Sequence, residues 1–263
     1  MTRQNFHKQR QQRQSREVDE DLIVELVRRE RRLQPRLGGR KLFGLLLSEL
    51  TDAGVEIGRD RFFEVLRHHD LLVPPLDRRT CKTTFSRHSL PVFRNLLYEL
   101  LPTAPDQVWV SDLTYLRTFE GFEYLYLIMD LYSRKIVGYH CGDSLDAQAC
   151  VAALRTALAN LPDDRYPIHH SDRGCQYCSH EYVQALQERH LPISMTEENH
   201  CYENSNAERL NGVLKQEYAL GTTFRSRQHA RRAVDQAVWL YNHRRPHGSL
   251  DNHFPATVHR RAA

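Results

Sequence analysis

Apolar positions recur with helical spacing in the first third of the chain and in strand-like runs after Pro105. From Val18 to Arg31, Leu22, Val24, Leu26 and Val27 stand among charges. Pro35 and the Gly38-Gly39 pair break that pattern. Lys41 to Ala53 predicts a second helix with Leu42, Leu45, Leu46 and Leu50 on one face, and Gly54 is placed to end it. Arg59 to His69 predicts a third, with Phe62, Phe63, Val65 and Leu66 apolar, and Pro74-Pro75 closes the unit. Three short helices over residues 17–75 fit a helix-turn-helix module; a plain helical bundle has the same pattern. Residues 1–16 read as a basic arm and residues 76–103 as a linker, with a short helix expected over Leu90–Leu101.

Val108 to Leu116, Phe122 to Leu131 and Ile136 to Cys141 are strand-like, and their short spacers allow antiparallel pairing. Helix (Asp146–Leu158), strand (Pro167–His170), helix (Glu181–Arg189) and strand (Pro192–Met195) follow. Ser205–Tyr218 and Gln228–His243 predict two more helices. The order matches an α/β fold class, a ribonuclease-H-like mixed sheet flanked by helices and preceded by a small all-α helix-turn-helix domain; several α/β folds share this coarse order, so the choice among them rests on the site. Residues 104–224 form its core, and residues 225–263 complete it with a helix and a basic tail. Trp239 and Tyr241 are expected in that core.

The 263 residues are 40% hydrophobic and 27% charged, which excludes collagen-like and wholly disordered chains. No apolar run reaches the roughly 18 residues of a membrane span, no secretory signal is evident, and a reduced, cytoplasmic protein is expected. The net charge of +4 conceals a segregation: residues 1–100 carry +6, residues 101–224 carry −8 and residues 225–263 carry +6. Basic flanks suit a polyanion, and an acidic middle suits bound cations. Solvated surface charge is the plainer explanation.

Three acids stand out. Asp112 lies inside a strand, where Asp is disfavoured. Asp172 follows the fourth strand in His170-Ser-Asp-Arg-Gly, and Glu208 lies on a helix. Fifty-nine residues lie between the first two and 35 between the last two. Clustered carboxylates repel unless cations neutralise them, and oxygen-rich sites suit Mg²⁺ or Mn²⁺. On the Glu208 helix, Asn204, Glu208, Asn211 and Lys215 fall on one polar stripe beside an apolar one of Ala207, Leu210, Leu214 and Tyr218.

Five motifs occur in order: Trp109-Val-Ser-Asp-Leu-Thr-Tyr115, Asp130-Leu-Tyr-Ser-Arg-Lys-Ile-Val-Gly138, His170-Ser-Asp-Arg-Gly-Cys-Gln-Tyr177, Asn204–Glu208 with Leu214-Lys-Gln-Glu-Tyr218, and Tyr241-Asn-His-Arg-Arg-Pro-His247. Together they resemble the DDE transposases of the IS3 family of bacterial insertion sequences over about residues 104–257, and more distantly the retroviral integrase core. The resemblance implies that Asp112, Asp172 and Glu208 are the catalytic triad and hold two Mg²⁺ ions, for which Mn²⁺ can substitute. It implies nicking and strand transfer at terminal inverted repeats by a homodimer or higher synaptic oligomer on double-stranded DNA. The chain would be a downstream-frame product, fused to or assisted by an upstream-frame DNA-binding protein, in a nucleoid-associated location. Expected DNA contacts are Lys215, Asn211 and Arg209 near the triad, Arg40, Lys41, Arg59, Arg61 and Arg67 in the helical unit, and Arg244 and Arg245 in the tail. A DNA-binding regulator with a retained fold and a ribonuclease-H-like nuclease are the alternatives. Cys175 and Cys178 are departures from the family pattern; a closed zinc site needs four convergent ligands, so the pair alone does not define one. Asp130 is read as structural, and His170 as a structural histidine or one that helps place Asp172 or a substrate group.

Overall fold

The computed structural model describes residues 19–74, 90–98, 100–197 and 204–261. The basic arm lies outside them, as does the linker before Leu90. The chain divides into two compact units, Met1–Asp77 and Arg78–Ala263.

In the first unit, helices α1 (residues 19–33), α2 (Gly39–Asp52) and α3 (Arg59–His68) share one core. Ile23 and Val27 meet Leu42, Leu46, Leu50, Phe62, Val65 and Leu66, all essentially out of water. Full burial of such side chains contributes roughly 1.5–3 kcal/mol each. Gly54 takes φ +79° just past α2, a left-handed conformation that glycine adopts without steric cost.

The second unit is a sheet in the order β3-β2-β1-β4-β5. Strands β1 (Val108–Thr118), β2 (Gly121–Asp130) and β3 (Ile136–Gly142) are antiparallel. β4 (Ile168–Ser171) and β5 (Ile193–Met195) extend the sheet in parallel with β1. Both faces are covered. Val108, Val110 and Leu116 pack with α6 (Ser205–Glu217) and α7 (Arg227–His243). Trp109 points the other way, into a core with α4 (Ala147–Leu158) and α5 (His180–Glu188). This is the ribonuclease-H-like mixed sheet expected from the pattern.

Local chemistry fixes the helix starts. The side chains of Asp146, Ser179 and Ser226 each accept a backbone N–H at the N-cap of α4, α5 and α7. At Gly138 a Cβ would stand 2.5 Å from the Ala153 carbonyl oxygen, so β3 approaches α4 only because this residue has none. α8 (Pro255–Arg261) follows a short 3₁₀ turn, Gly248–Leu250.

Two expectations need correction. Leu90–Leu101 does not form a helix among its described residues. The segment instead lies against the core, where the Leu96 N–H donates to Ser194 Oγ (2.8 Å) and Phe93 and Leu97 pack inward. Trp239 is 57% exposed and stacks on His243, while Tyr241 is buried as expected.

Candidate active site

The site forms where β1 loses its neighbours. β4 pairs with Val108–Val110, and the two-residue strand β6 (Thr223–Phe224) pairs with Arg117 and Thr118. Between those pairings one edge of β1 has no strand partner among the described residues, and Asp112 sits in the gap. Asp112 is half-buried. Its Oδ1 accepts the Leu113 N–H (2.8 Å) and its Oδ2 accepts Asn211 Nδ2 (2.7 Å).

Asp172 lies just past β4 and is also half-buried. Its Oδ1 accepts the Gly174 N–H at 2.9 Å. A Cβ on Gly174 would stand 3.0 Å from that same oxygen, so the tight turn suits a glycine. Glu208 is exposed on the first half of α6. The apolar stripe beside it, Ala207, Leu210, Leu214 and Tyr218, is buried as the spacing predicts.

The three carboxylates sense one another. Burial, then the Asp172 charge, pushes Asp112 up to about 7, and Glu208 adds to the push. The Leu113 N–H and the Asn211 amide hold it down in part. Glu208 is raised by partial burial and by Asp172. Mutually repelling acids at the mouth of a strand are a donor set that fits a divalent cation. Their ligand atoms do not all converge on one point. Among the described residues, groups of three within 4.8 Å of one another are Glu20, His68 and His69, and Asp106, Asp130 and His259. Asp112, Asp172 and Glu208 are not such a group.

The second of those clusters has a structural explanation. Asp130 is fully buried; its Oδ1 accepts the Ser133 N–H (2.7 Å) and hydroxyl (2.5 Å), and its Oδ2 accepts the Asp106 N–H (2.8 Å). Asp106 Oδ1 accepts Trp109 Nε1 at 2.9 Å. His170 Nδ1 pairs with Ser194 Oγ (2.8 Å), and His169 Nε2 meets Ser111 Oγ (2.7 Å) and the Tyr182 hydroxyl (2.8 Å). Burial lowers His169 to about 3. Cys178 is buried with its thiol against Met195 Sδ (3.7 Å), a packing role.

The expected DNA contacts separate into groups. Lys215 holds its ammonium 4.8 Å above the Tyr115 ring, and Arg209 is exposed beside Glu208. Asn211 is only 8% exposed and its amide is committed to Asp112, so it is not a surface contact. Arg245 is also withdrawn from that set. It is 5% exposed and bidentate on Glu217 (2.8 and 3.1 Å); burial pulls its pKa down, but Glu217 together with Tyr241 and Tyr218 leaves it raised. Arg244 is half-buried. In the helical unit Arg40, Arg59 and Arg67 line one surface depression with Phe63. Lys41 is half-buried. Arg59 pairs with Asp60 (3.0 Å), and Arg61 with Glu64 (3.0 Å) and Glu20.

Asn242 is a structural residue that the sequence pattern leaves unassigned. It brackets Ile136, donating to its carbonyl and accepting its N–H, both at 2.9 Å. Its one signal in the sequence is its place in the Tyr241–His247 motif.

Comparison with known proteins agrees with this architecture. Residues 102–201 and 189–255 both match the integrase core domain. One chain of the simian T-cell lymphotropic virus intasome superposes with a TM-score of 0.53 at 17% identity, covering 84% of this chain and 74% of that one. The fold is therefore that of an integrase catalytic core. Among sequences, a 31 kDa protein of the insertion element IS600 from Shigella sonnei is 38% identical over 240 residues, 90% of this chain and 86% of that protein. Transposase InsF of insertion sequence IS3A from Escherichia coli is 37% identical over 172 residues, 65% of this chain and 60% of InsF. The chain belongs to the IS3 family of DDE transposases.

Proposed function

We propose that this protein binds the terminal inverted repeats of its insertion sequence and catalyses nicking and strand transfer through Asp112, Asp172 and Glu208. The observation that carries the reading is the set of three mutually repelling carboxylates at the open edge of β1 in an integrase core. Two divalent cations, Mg²⁺ or Mn²⁺, would neutralise those carboxylates and activate first water and then a 3′-hydroxyl for in-line attack on phosphorus. Asp112 and Asp172 hold their oxygens on a rigid strand and a glycine turn. Glu208 approaches from a helix and completes the ligand set. Lys215 and Arg209 on that helix, and Arg40, Lys41, Arg59, Arg61, Arg67 and Arg244, meet DNA phosphates or, from the helical unit, base edges. Two ends must be joined, so a homodimer or higher synaptic oligomer on double-stranded DNA is the working form. An upstream-frame DNA-binding protein would supply additional end recognition.

The test uses the full chain and a labelled duplex of the element's end, with Mg²⁺ or EDTA, comparing wild type with Glu208→Gln. Metal-dependent nicking and end joining that vanish in the variant support the reading. Cleavage that survives Glu208→Gln removes Glu208 from the site, and binding without cleavage by the wild type favours a regulator.

A further inference from the structure

Two asparagine amides bracket Glu208 on α6, and both reach across to β1. Asn204 Nδ2 donates to the Ser111 carbonyl at 3.0 Å, and Asn211 Nδ2 donates to Asp112 Oδ2 at 2.7 Å. The two side chains are 4% and 8% exposed. The Ser111 carbonyl only accepts, so the Asn204 NH₂ must face β1; the Asn211 NH₂ faces the Asp112 carboxylate, which accepts from it when ionised. Both Oδ1 atoms are buried and lack a partner among the described residues. An unpaired buried acceptor destabilises a fold, and an apolar side chain of the same size would avoid that cost. Packing alone therefore does not account for two such amides on one helix.

We propose that Asn204 and Asn211 are positioning residues of the carboxylate site. Asn204 ties the start of α6 to the residue before Asp112, and Asn211 ties its middle to the Asp112 carboxylate itself. Glu208 lies between them, so the two bonds set its separation from Asp112. Asn211 also orients the Asp112 oxygen through that bond. The inference rests on the proposed metal-binding role of Asp112. Partners that orient a metal ligand in this way typically alter affinity by about 10–100-fold when replaced.

The experiment measures Mn²⁺ binding to the full chain by calorimetry and the melting temperature of the metal-free protein. Asn211→Leu keeps the size and removes both donor and acceptor. Expected is at least a tenfold loss of Mn²⁺ affinity in a variant whose metal-free melting curve shows that it is folded. A merely structural amide would instead lower the melting temperature and leave affinity alone; Mn²⁺ affinity within twofold of wild type overturns the proposal. If Asn211→Leu does not fold, Asn211→Ser carries the same two readouts. Asn204→Leu is expected to weaken Mn²⁺ less than Asn211→Leu, and the reverse order contradicts the roles assigned here. Asp112→Asn is the control. If wild type binds no Mn²⁺, or Asp112→Asn binds as wild type does, the metal-site reading fails and takes this inference with it. If only the asparagine variants behave as wild type, this inference fails alone.

Discussion

Asp112 is the residue on which the site turns. A strand interior is a poor place for an aspartate, and burial beside Asp172 and Glu208 lifts it to about 7. Removing that charge relieves repulsion. Asp112→Asn should therefore raise the melting temperature of the metal-free protein by a few degrees and abolish the rise that Mg²⁺ gives the wild type; scanning calorimetry with and without Mg²⁺ checks both. His169 is the opposite case. Its folded pKa of about 3 lies below its ordinary value of 6.5 because burial disfavours the cation. The unfolded chain binds that proton first, so stability is fully present above about pH 6.5 and falls as pH drops toward 3. His169→Gln should flatten the loss over that window in urea titrations at stepped pH.

Elements hold these residues through a few contacts that periodicity does not encode. α6 is clamped at its far end by the buried Arg245 on half-buried Glu217. Arg245→Ala leaves the half-buried Glu217 carboxylate without its partner and is expected to cost about 1–3 kcal/mol in denaturant unfolding. β3 approaches α4 over Gly138, where a Cβ would meet backbone at 2.5 Å. Gly138→Ala should cost about 1–3 kcal/mol by the same measurement, since a carbonyl cannot move aside as a side chain can. The strands and long helices of the core are legible in the sequence because their apolar positions repeat at 2 or 3.6 residues. β6 is not, since two residues carry no period. Leu90–Leu101 reads as a helix because an apolar run has the same composition whether it coils or lies extended on a core. Trp239 reads as core from its helical neighbours Val238 and Leu240, yet it falls on the other side of α7. The polar stripe of α6 is legible, but a stripe does not tell exposed from buried. Asn211 therefore reads as a surface contact, although its amide is spent on Asp112.

The molecule comprises two compact units, each with a net charge of +2, so the charge segregation follows stretches of the chain and not the units themselves. The helical unit lies within the basic N-terminal stretch, and the acidic middle of the chain contains the carboxylate site. Affinity for DNA should then come largely from phosphate neutralisation and fall steeply with salt. Replacing Arg40, Arg59 and Arg67 together by Glu is expected to weaken DNA binding across sequences. The slope of log affinity against log salt should shrink by about 0.9 for each phosphate that the variant no longer neutralises. Mn²⁺ binding at the carboxylates should be unchanged, so fluorescence anisotropy across a salt series and calorimetry on the same variant separate the two units' roles. At this scale the order of the motifs is the legible part. It places the chain in its family, whereas charge counts alone leave solvated surface charge as an equal explanation.

The most direct test of the central claim is anomalous scattering from crystals of the protein grown or soaked with Mn²⁺. Manganese is expected between Asp112, Asp172 and Glu208, with the three side chains turned inward around it. Manganese bound instead by Asp106, Asp130 and His259, with the three proposed ligands left bare, would contradict that claim.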